Sequence, residues 1–393
     1  MPAFNLSKLY KKTLNTSRQA KPRALFLFCI AAFAVLLLAS PCIVPAHASL
    51  PTANLSTANL STANLPLANQ PVAETIGEHA TAATEKIADA AQSVAQVAAD
   101  TTSQTAEAAA AVAQHKFQQD PLFWTYVVGT IVALICAFAF DLARPGSLAR
   151  AGSRGVANIP AYIWFICAFV CLASMMLGTT AAVSLPLGFT KPYTDIRELA
   201  LMSLFGFGFG LIVAIGLARL LAIAEPNSGF TLDSRRFVQG VLGTLLVFPI
   251  VGLVGILGAL IHTRLGYSVN PISHQTLQVF HDNPNNVWAW VMIATAVLIV
   301  PILEEIIYRG MLQSMFLRVF NAPWIAILLT SIPFALMHSI GGTGMPWYAI
   351  LSLFTFSIGL GIAFERTKRI GVPIIMHALF NAANVGFTML MSK

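Results

Sequence analysis

The chain contains a succession of long apolar runs, and this feature leaves it few possible folds. Eight runs follow one another from residue 121, each roughly long enough to cross ~30 Å of hydrocarbon as a helix. Helices are required because lipid cannot satisfy open backbone groups. The sequence therefore predicts an all-α polytopic transmembrane bundle of about eight spans, near residues 121–140, 158–180, 199–222, 238–261, 287–312, 323–340, 346–364 and 370–391.

The distribution of charge agrees with a membrane protein. Charged residues make up 10% of the chain, whereas soluble domains carry about 25%. The net charge of +7 is spread over short loops and forms no single patch, so nucleic acid is not an expected partner. Alternate loops carry ten basic residues and the other loops only three, which predicts that the ten face the cytoplasm. These ten are Arg144, Arg150, Arg154, Arg219, Arg235, Arg236, Arg318, Arg366, Lys368 and Arg369.

The N-terminal part differs from the rest of the chain. Residues 1–48 have a basic start, an apolar stretch and a small-x-small site ending at Ala48, which predicts an export signal or, alternatively, an uncleaved signal anchor. Export of this end, together with the basic loops, indicates a bacterial inner-membrane protein. The predicted division is a signal segment at 1–48, a low-complexity linker and Ala-rich exposed region at 49–119, N-terminal transmembrane helices at 120–262 and a chemically distinctive domain at 263–393.

Three charged residues interrupt the fifth apolar run. Glu304, Glu305 and Arg309 lie within six positions, and each charge at the centre of a membrane helix costs about 2.5–3.5 kcal/mol on insertion scales. Glu305 and Arg309 are four residues apart with the acid first, the favourable order for an ion pair that could be purely structural. Glu304 has no cation on its own helix face, which makes it a candidate general base.

Two histidines and an asparagine in later runs could share a site with this carboxylate. Glu304 lies 17 residues before Asn321 and His338 lies 17 residues after it, so a turn at Asn321 would bring them to the same depth. His377 and Asn381 are four residues apart and share one helix face. The set suits peptide hydrolysis, with Glu304 taking a proton from a water that His338 holds. His377 and Asn381 would donate hydrogen bonds to the oxyanion of the intermediate.

Three motifs in this region together resemble a known family. Residues 304–310 match EExxxRG, residues 334–338 match FxxxH and residues 377–381 match HxxxN. Their order and apolar setting look like the CPBP (ABI) family, which includes the type II CAAX prenyl endopeptidases and bacteriocin-processing or immunity proteins. The resemblance covers roughly residues 270–390, and it implies that the predicted domain at 263–393 is a CPBP-like intramembrane protease domain.

The resemblance implies an intramembrane endopeptidase of the glutamic type, in a family often labelled as metallopeptidases. Its substrate would be a membrane-associated protein or peptide, with CAAX-type proteins as a family association, and no cofactor is expected. The roles that the resemblance implies are those of base for Glu304 with His338, oxyanion hole for His377 and Asn381, and support of the site for Glu305 and Arg309.

Three alternatives stay open at this point. Glu304, His338 and His377 could supply a two-histidine, one-carboxylate metal site, with zinc as the candidate, although the sequence has no HExxH helix. A transporter or proton relay is the second alternative, because buried acids and histidines also mark ion paths. Many transporters are built from two inverted repeats with matching residues, but the first four runs hold no acidic residue that would match Glu304. A member of the same family with a binding or immunity role and no proteolysis is the third alternative.

Overall fold

The computed structural model describes residues 121–391, apart from residues 143, 145, 153, 186–188, 190–194, 233–235, 270–271, 273 and 340–344, and it also describes Gln92 and Gln96. The predicted signal segment and most of the predicted linker and Ala-rich region lie outside the described residues. Gln92 and Gln96 are helical and exposed. The chain forms two compact units, of which the larger includes residues 121–259 and 270–391 and the smaller includes residues 260–269.

Helices account for all the regular secondary structure of the described residues, so the all-α prediction is confirmed. Eight of the helices correspond one to one to the eight predicted apolar runs, and two are short connecting helices. The helices are α1 (Pro121–Ala139), α2 (Ser147–Arg150), α3 (Ala161–Ser184), α4 (Ile196–Ala224), α5 (Phe237–Arg264), α6 (Gln275–Asp282), α7 (Val287–Phe320), α8 (Pro323–Met337), α9 (Trp347–Thr367) and α10 (Gly371–Met391).

Six of these helices, namely α3, α4, α5, α7, α9 and α10, are long and apolar enough to cross a membrane. Helices α1 and α8 are apolar but shorter; the 15 residues of α8 rise only about 22 Å at ~1.5 Å per residue. Large apolar side chains such as Ile212 and Ile223 are 69% and 77% exposed, as expected where a helix faces lipid. The chain is therefore an integral membrane protein.

Local signals set the ends of the helix that carries the charged residues. The side chain of Asn286 caps the start of α7 by accepting a hydrogen bond from the backbone N–H of Trp288 at 2.9 Å. The helix ends at Phe320 because Asn321 adopts a left-handed conformation with φ of 51°. Pro323 then begins α8 as a first-turn proline. The predicted turn at Asn321 is present.

Helix α7 is the core of the larger unit. Every residue from Glu305 to Leu317 is buried, so the charges in this span face protein rather than lipid. Two widened π turns, Thr295–Ile299 and Ile306–Leu312, interrupt the α-helical pattern. Turns of this kind occur frequently at functional sites, and here they lie immediately before and after the segment that holds the two glutamates.

A buried polar network joins the loop after α2 to α7 and α9. Arg154 donates to Glu365 with Nη2 at 2.7 Å and to the hydroxyl of Ser314 with Nη1 at 2.9 Å. Glu365 also accepts a hydrogen bond from the amide of Gln313 at 2.8 Å. The side chains of Arg154 and Glu365 are 0% and 2% exposed. Arg154, one of the ten predicted loop cations, is therefore a buried ion-pair partner and not a solvated surface charge.

Candidate active site

Glu305 is the centre of a buried cluster of charged side chains. Its Oε2 lies 3.2 Å from Nε of Arg309, and both side chains are completely buried, so the predicted ion pair is present. Its Oε1 lies 3.0 Å from Nδ1 of His377 on α10. Because a carboxylate can only accept, Nδ1 of His377 carries a proton and the ring is held with Nε2 pointing away from Glu305.

Arg309 is further held by its neighbours. Its Nη2 lies 3.2 Å from the hydroxyl of Ser357 on α9, and its guanidinium carbon lies 4.6 Å from the ring centroid of Phe334 on α8. A guanidinium over an aromatic face is stabilised by the ring quadrupole. These contacts join α7, α8 and α9 around the Glu305–Arg309 pair, in line with the supporting role that the resemblance implies.

Glu304 lies in a different environment from its neighbour. Its side chain is 16% exposed, and its buried Oε2 has no hydrogen-bond partner among the described residues. Nε2 of His377 is 3.9 Å from this oxygen, which is beyond hydrogen-bonding distance. The fold thus brings Glu304 and His377 together as predicted, and it leaves one carboxylate oxygen of Glu304 without a hydrogen bond among the described residues.

His338 lies immediately beyond α8 and not inside it. The predicted run extended to residue 340, but the helix ends at Met337, and His338 caps it by donating its backbone N–H to the carbonyl of Ala335. Its ring Nδ1 lies 2.8 Å from the carbonyl of Phe334, so Nδ1 carries the proton and the lone pair of the neutral ring is on Nε2. The Phe334 ring contacts His338 and His377, with centroid distances of 5.1 Å and 5.7 Å.

Asn381 contacts the backbone of α7. Its amide nitrogen donates to the carbonyl of Ala296 at 2.8 Å, in the first π turn. His377 and Asn381 do lie on one helix with the predicted four-residue spacing. One N–H of the amide is thus committed to a backbone carbonyl, whereas the sequence predicted only a donor to the oxyanion.

His274 is a neighbour of the site that sequence reasoning missed. It caps α6, with Nδ1 accepting from the backbone N–H of Thr276 at 3.2 Å. Its ring centroid lies 6.4 Å from that of His338. Burial, and secondly the proximity of His338, lower the pKa of His274 to about 4, so the ring is neutral near pH 7. His274 lies in a loop outside the apolar runs, where a histidine gives no signal in the sequence.

Metal ligation was an open alternative from the sequence. Within the part of the chain that the structure describes, no three histidine, cysteine, aspartate or glutamate side chains converge as a metal-binding group. In this structure Glu304, His338 and His377 are therefore not grouped as three ligands around one point.

The last residue of the EExxxRG motif has a packing role that the structure explains. A Cβ atom on Gly310 would lie 2.3 Å from Cε1 of Phe230, closer than any real contact. The Phe230 ring in turn stacks on the buried Trp164, with centroids 6.2 Å apart, and therefore has little room to move. Glycine at this position allows the loop after α4 to pack directly on the second π turn of α7.

Replacing Gly310 by alanine is expected to lower the free energy of unfolding by about 1–3 kcal/mol, because of overpacking against Phe230. The same change in an uncrowded helix stabilises by about 1 kcal/mol. Gly208→Ala on α4 is the matched control, because nothing lies within 4 Å of its added Cβ. Thermal unfolding of the protein in lipid nanodiscs measures both, and a Gly310→Ala variant as stable as Gly208→Ala would contradict the packing account.

Comparison with known proteins extends the resemblance. Residues 286–383 match the family model described as type II CAAX prenyl endopeptidase, Rce1-like. These residues, 98 of the 393 in the chain, are the segment similar to that family and are called the Rce1-like segment. All six predicted site residues lie in the Rce1-like segment, whereas His274 lies before it. The predicted resemblance to CPBP proteins is therefore confirmed, and the family is one of intramembrane proteases.

A curated bacterial protein is also similar to the chain. The UPF0177 protein YbdI of Lactococcus lactis subsp. lactis is 27% identical over 175 residues, which is 44% of this chain and 91% of the relative. No solved structure matches the chain significantly.

Proposed function

We propose that the Rce1-like segment hydrolyses a peptide bond of a membrane-associated protein or peptide, using a water molecule that Glu304 activates. The observation that carries this proposal is the contrast between two adjacent carboxylates. Glu305 is fully buried, pairs with Arg309 at 3.2 Å and contacts His377. Glu304 is 16% exposed and has no arginine or lysine partner among the described residues. The first arrangement suits structural support, and the second suits proton transfer.

The proposed reaction uses the side chains in a definite order. Glu304 takes one proton from the water, and the water oxygen forms a bond to the carbonyl carbon of the scissile peptide. His338 helps to hold the water with Nε2, because Nδ1 donates to the carbonyl of Phe334. The tetrahedral intermediate then collapses as its C–N bond breaks, and Glu304 returns the proton to the leaving amine.

The proposed stabiliser of the intermediate is His377. Its Nδ1 is held by Glu305, and its Nε2 is the ring atom that faces Glu304 at 3.9 Å. In the proposed reaction the ring is an imidazolium, because only a ring protonated on both nitrogens donates from Nε2 while Nδ1–H donates to Glu305. A group fixed by a buried partner needs little reorganisation during the reaction, and a preorganised donor is worth about 2.7–4 kcal/mol in a site that excludes water. The ring could therefore stabilise the negatively charged oxygen that forms beside Glu304.

The proposed substrate class follows from the setting of the site. Glu304 and His377 lie on two helices that are long enough to span a membrane, so a substrate must reach them from the membrane or its surface. CAAX-type peptides carrying a prenyl group are the first class to test, because the matched family is described by that activity. In the proposed orientation the basic loops face the cytoplasm and the N-terminal region is exported.

Chelators are expected to leave this activity unchanged. In nanodiscs, 1,10-phenanthroline or EDTA should not lower the rate at which the wild-type protein cleaves a quenched fluorescent peptide substrate, because the proposed water is activated by a carboxylate. A protease that is known to require zinc is assayed in parallel and should lose its activity, which confirms that the chelator is effective. Loss of cleavage that zinc specifically restores would contradict the glutamate-only mechanism.

A further inference from the structure

The first π turn of α7 leaves one backbone carbonyl without its regular donor. In this turn an N–H donates to the carbonyl five residues earlier, as Val300 does to Thr295. The next donor in the series would be residue 301, paired with the carbonyl of Ala296. Residue 301 is a proline, which has no N–H. The carbonyl of Ala296 therefore lacks the hydrogen bond that the turn would otherwise supply.

The side chain of Asn381 fills this position. Its amide nitrogen donates to the carbonyl of Ala296 at 2.8 Å, across an interval of 85 residues in the chain. An unpaired carbonyl in an apolar environment is costly, so the contact fixes the position of α10 relative to α7. His377 lies one turn earlier on α10 and reaches Glu304 and Glu305, which lie eight and nine residues, or about two turns, after Ala296 on α7.

We propose that Asn381 is a positioning residue whose amide replaces the hydrogen bond that Pro301 cannot make. The hydrogen bond from Asn381 to Ala296, called the pin, thereby holds α10 against α7 at the level where His377 lies beside the two glutamates. The consequence for the rate of hydrolysis rests on the proposed function, whereas the pin itself does not. This role differs from the oxyanion-hole role that the family resemblance implies for Asn381, since it acts through His377 and not on the substrate.

A double-mutant cycle tests the pin. Pro301→Ala restores a backbone N–H that can donate to the carbonyl of Ala296, so the hydrogen bond from Asn381 becomes redundant. Asn381→Ala is expected to lower kcat on the order of tenfold in the wild-type background. In the Pro301→Ala background the same change is expected to lower kcat less than about twofold, and thermal stability in nanodiscs should show the same coupling. If Asn381→Ala alone fails to accumulate, recovery of its membrane level by Pro301→Ala is the same result.

Asn384→Ala is the matched control, because its amide donates to the carbonyl of Phe380 within the same helix, at 2.9 Å, and no effect on kcat is expected. Equal losses of kcat from Asn381→Ala in both backgrounds would overturn the proposal and assign the amide to the oxyanion. No loss in either background would also overturn it. If the wild-type protein cleaves no peptide, the thermal stabilities of the four proteins in the cycle still show whether Asn381 and Pro301 are coupled. Failure of the proposed function is therefore distinguishable from failure of this inference.

Discussion

Replacing Glu304 by glutamine is expected to abolish peptide hydrolysis, with kcat lowered by at least about a hundredfold, while the fold and the membrane level are retained. Glutamine has nearly the same shape but cannot accept the proton of the water, and general-base catalysis is worth about 10²–10⁴ in rate. Stability should change little, because Glu304 has no arginine or lysine partner among the described residues, whereas Glu305 pairs with Arg309. The measurement is cleavage of a quenched peptide in nanodiscs, with thermal unfolding of the same samples.

The adjacent Glu305 provides the matched control. Glu305→Gln removes the buried partner of Arg309, and uncompensated buried charges cost about 3–5 kcal/mol. This variant should therefore lose thermal stability as well as activity. The two neighbouring substitutions separate the base from the structural partner. A Glu304→Gln protein that still cleaves, or one that unfolds as early as Glu305→Gln, would remove the assignment of Glu304 as the base.

Replacing Arg154 by methionine is expected to have the largest effect on stability outside the active site, a loss of about 3–5 kcal/mol. Glu365 accepts two hydrogen bonds from this guanidinium, at 2.7 Å and 3.1 Å, and both side chains are buried. Methionine fills a similar volume but leaves the carboxylate charged and only partly compensated by Gln313. A fall in Tm of the protein in nanodiscs measures the loss.

The double variant Arg154→Met with Glu365→Leu is expected to recover most of that stability, because apolar residues of similar volume can replace a buried ion pair at little cost. Arg150→Met is the matched control. Arg150 pairs with Asp141 at the surface, where ion pairs contribute little, so its Tm should stay close to that of the wild type. Arg154→Met with an unchanged Tm, or a double variant no better than the single one, would contradict the buried-pair account.

The parts of the structure that the sequence predicts depend on local spacing. The helix order follows from apolar runs, and the turn between α7 and α8 follows from Asn321 and the proline after it. The Glu305–Arg309 pair follows from a four-residue interval on one helix. The cost of burying charges in lipid singled out Glu304 and, more weakly, His377 as candidates for one site, and the structure brings the two together.

The parts that the sequence could not predict depend on contacts between distant segments. The hydrogen bond of Asn381 to Ala296 joins residues 85 positions apart, and the Arg154–Glu365 pair joins residues 211 positions apart. Spacing within one run carries no information about such partners. The π turns belong to the same class, because Pro301 in the sequence indicates only a disturbed helix, and the carbonyl it leaves is satisfied by a different helix.

The most direct test of the account is to compare protein N-termini in membrane fractions of cells that carry either the wild-type chain or the Glu304→Gln form at equal levels. A protease that depends on Glu304 predicts new N-termini that appear with the wild-type chain and are absent with the variant. Identical sets of N-termini in the two membranes would contradict the claim that Glu304 activates water for peptide hydrolysis.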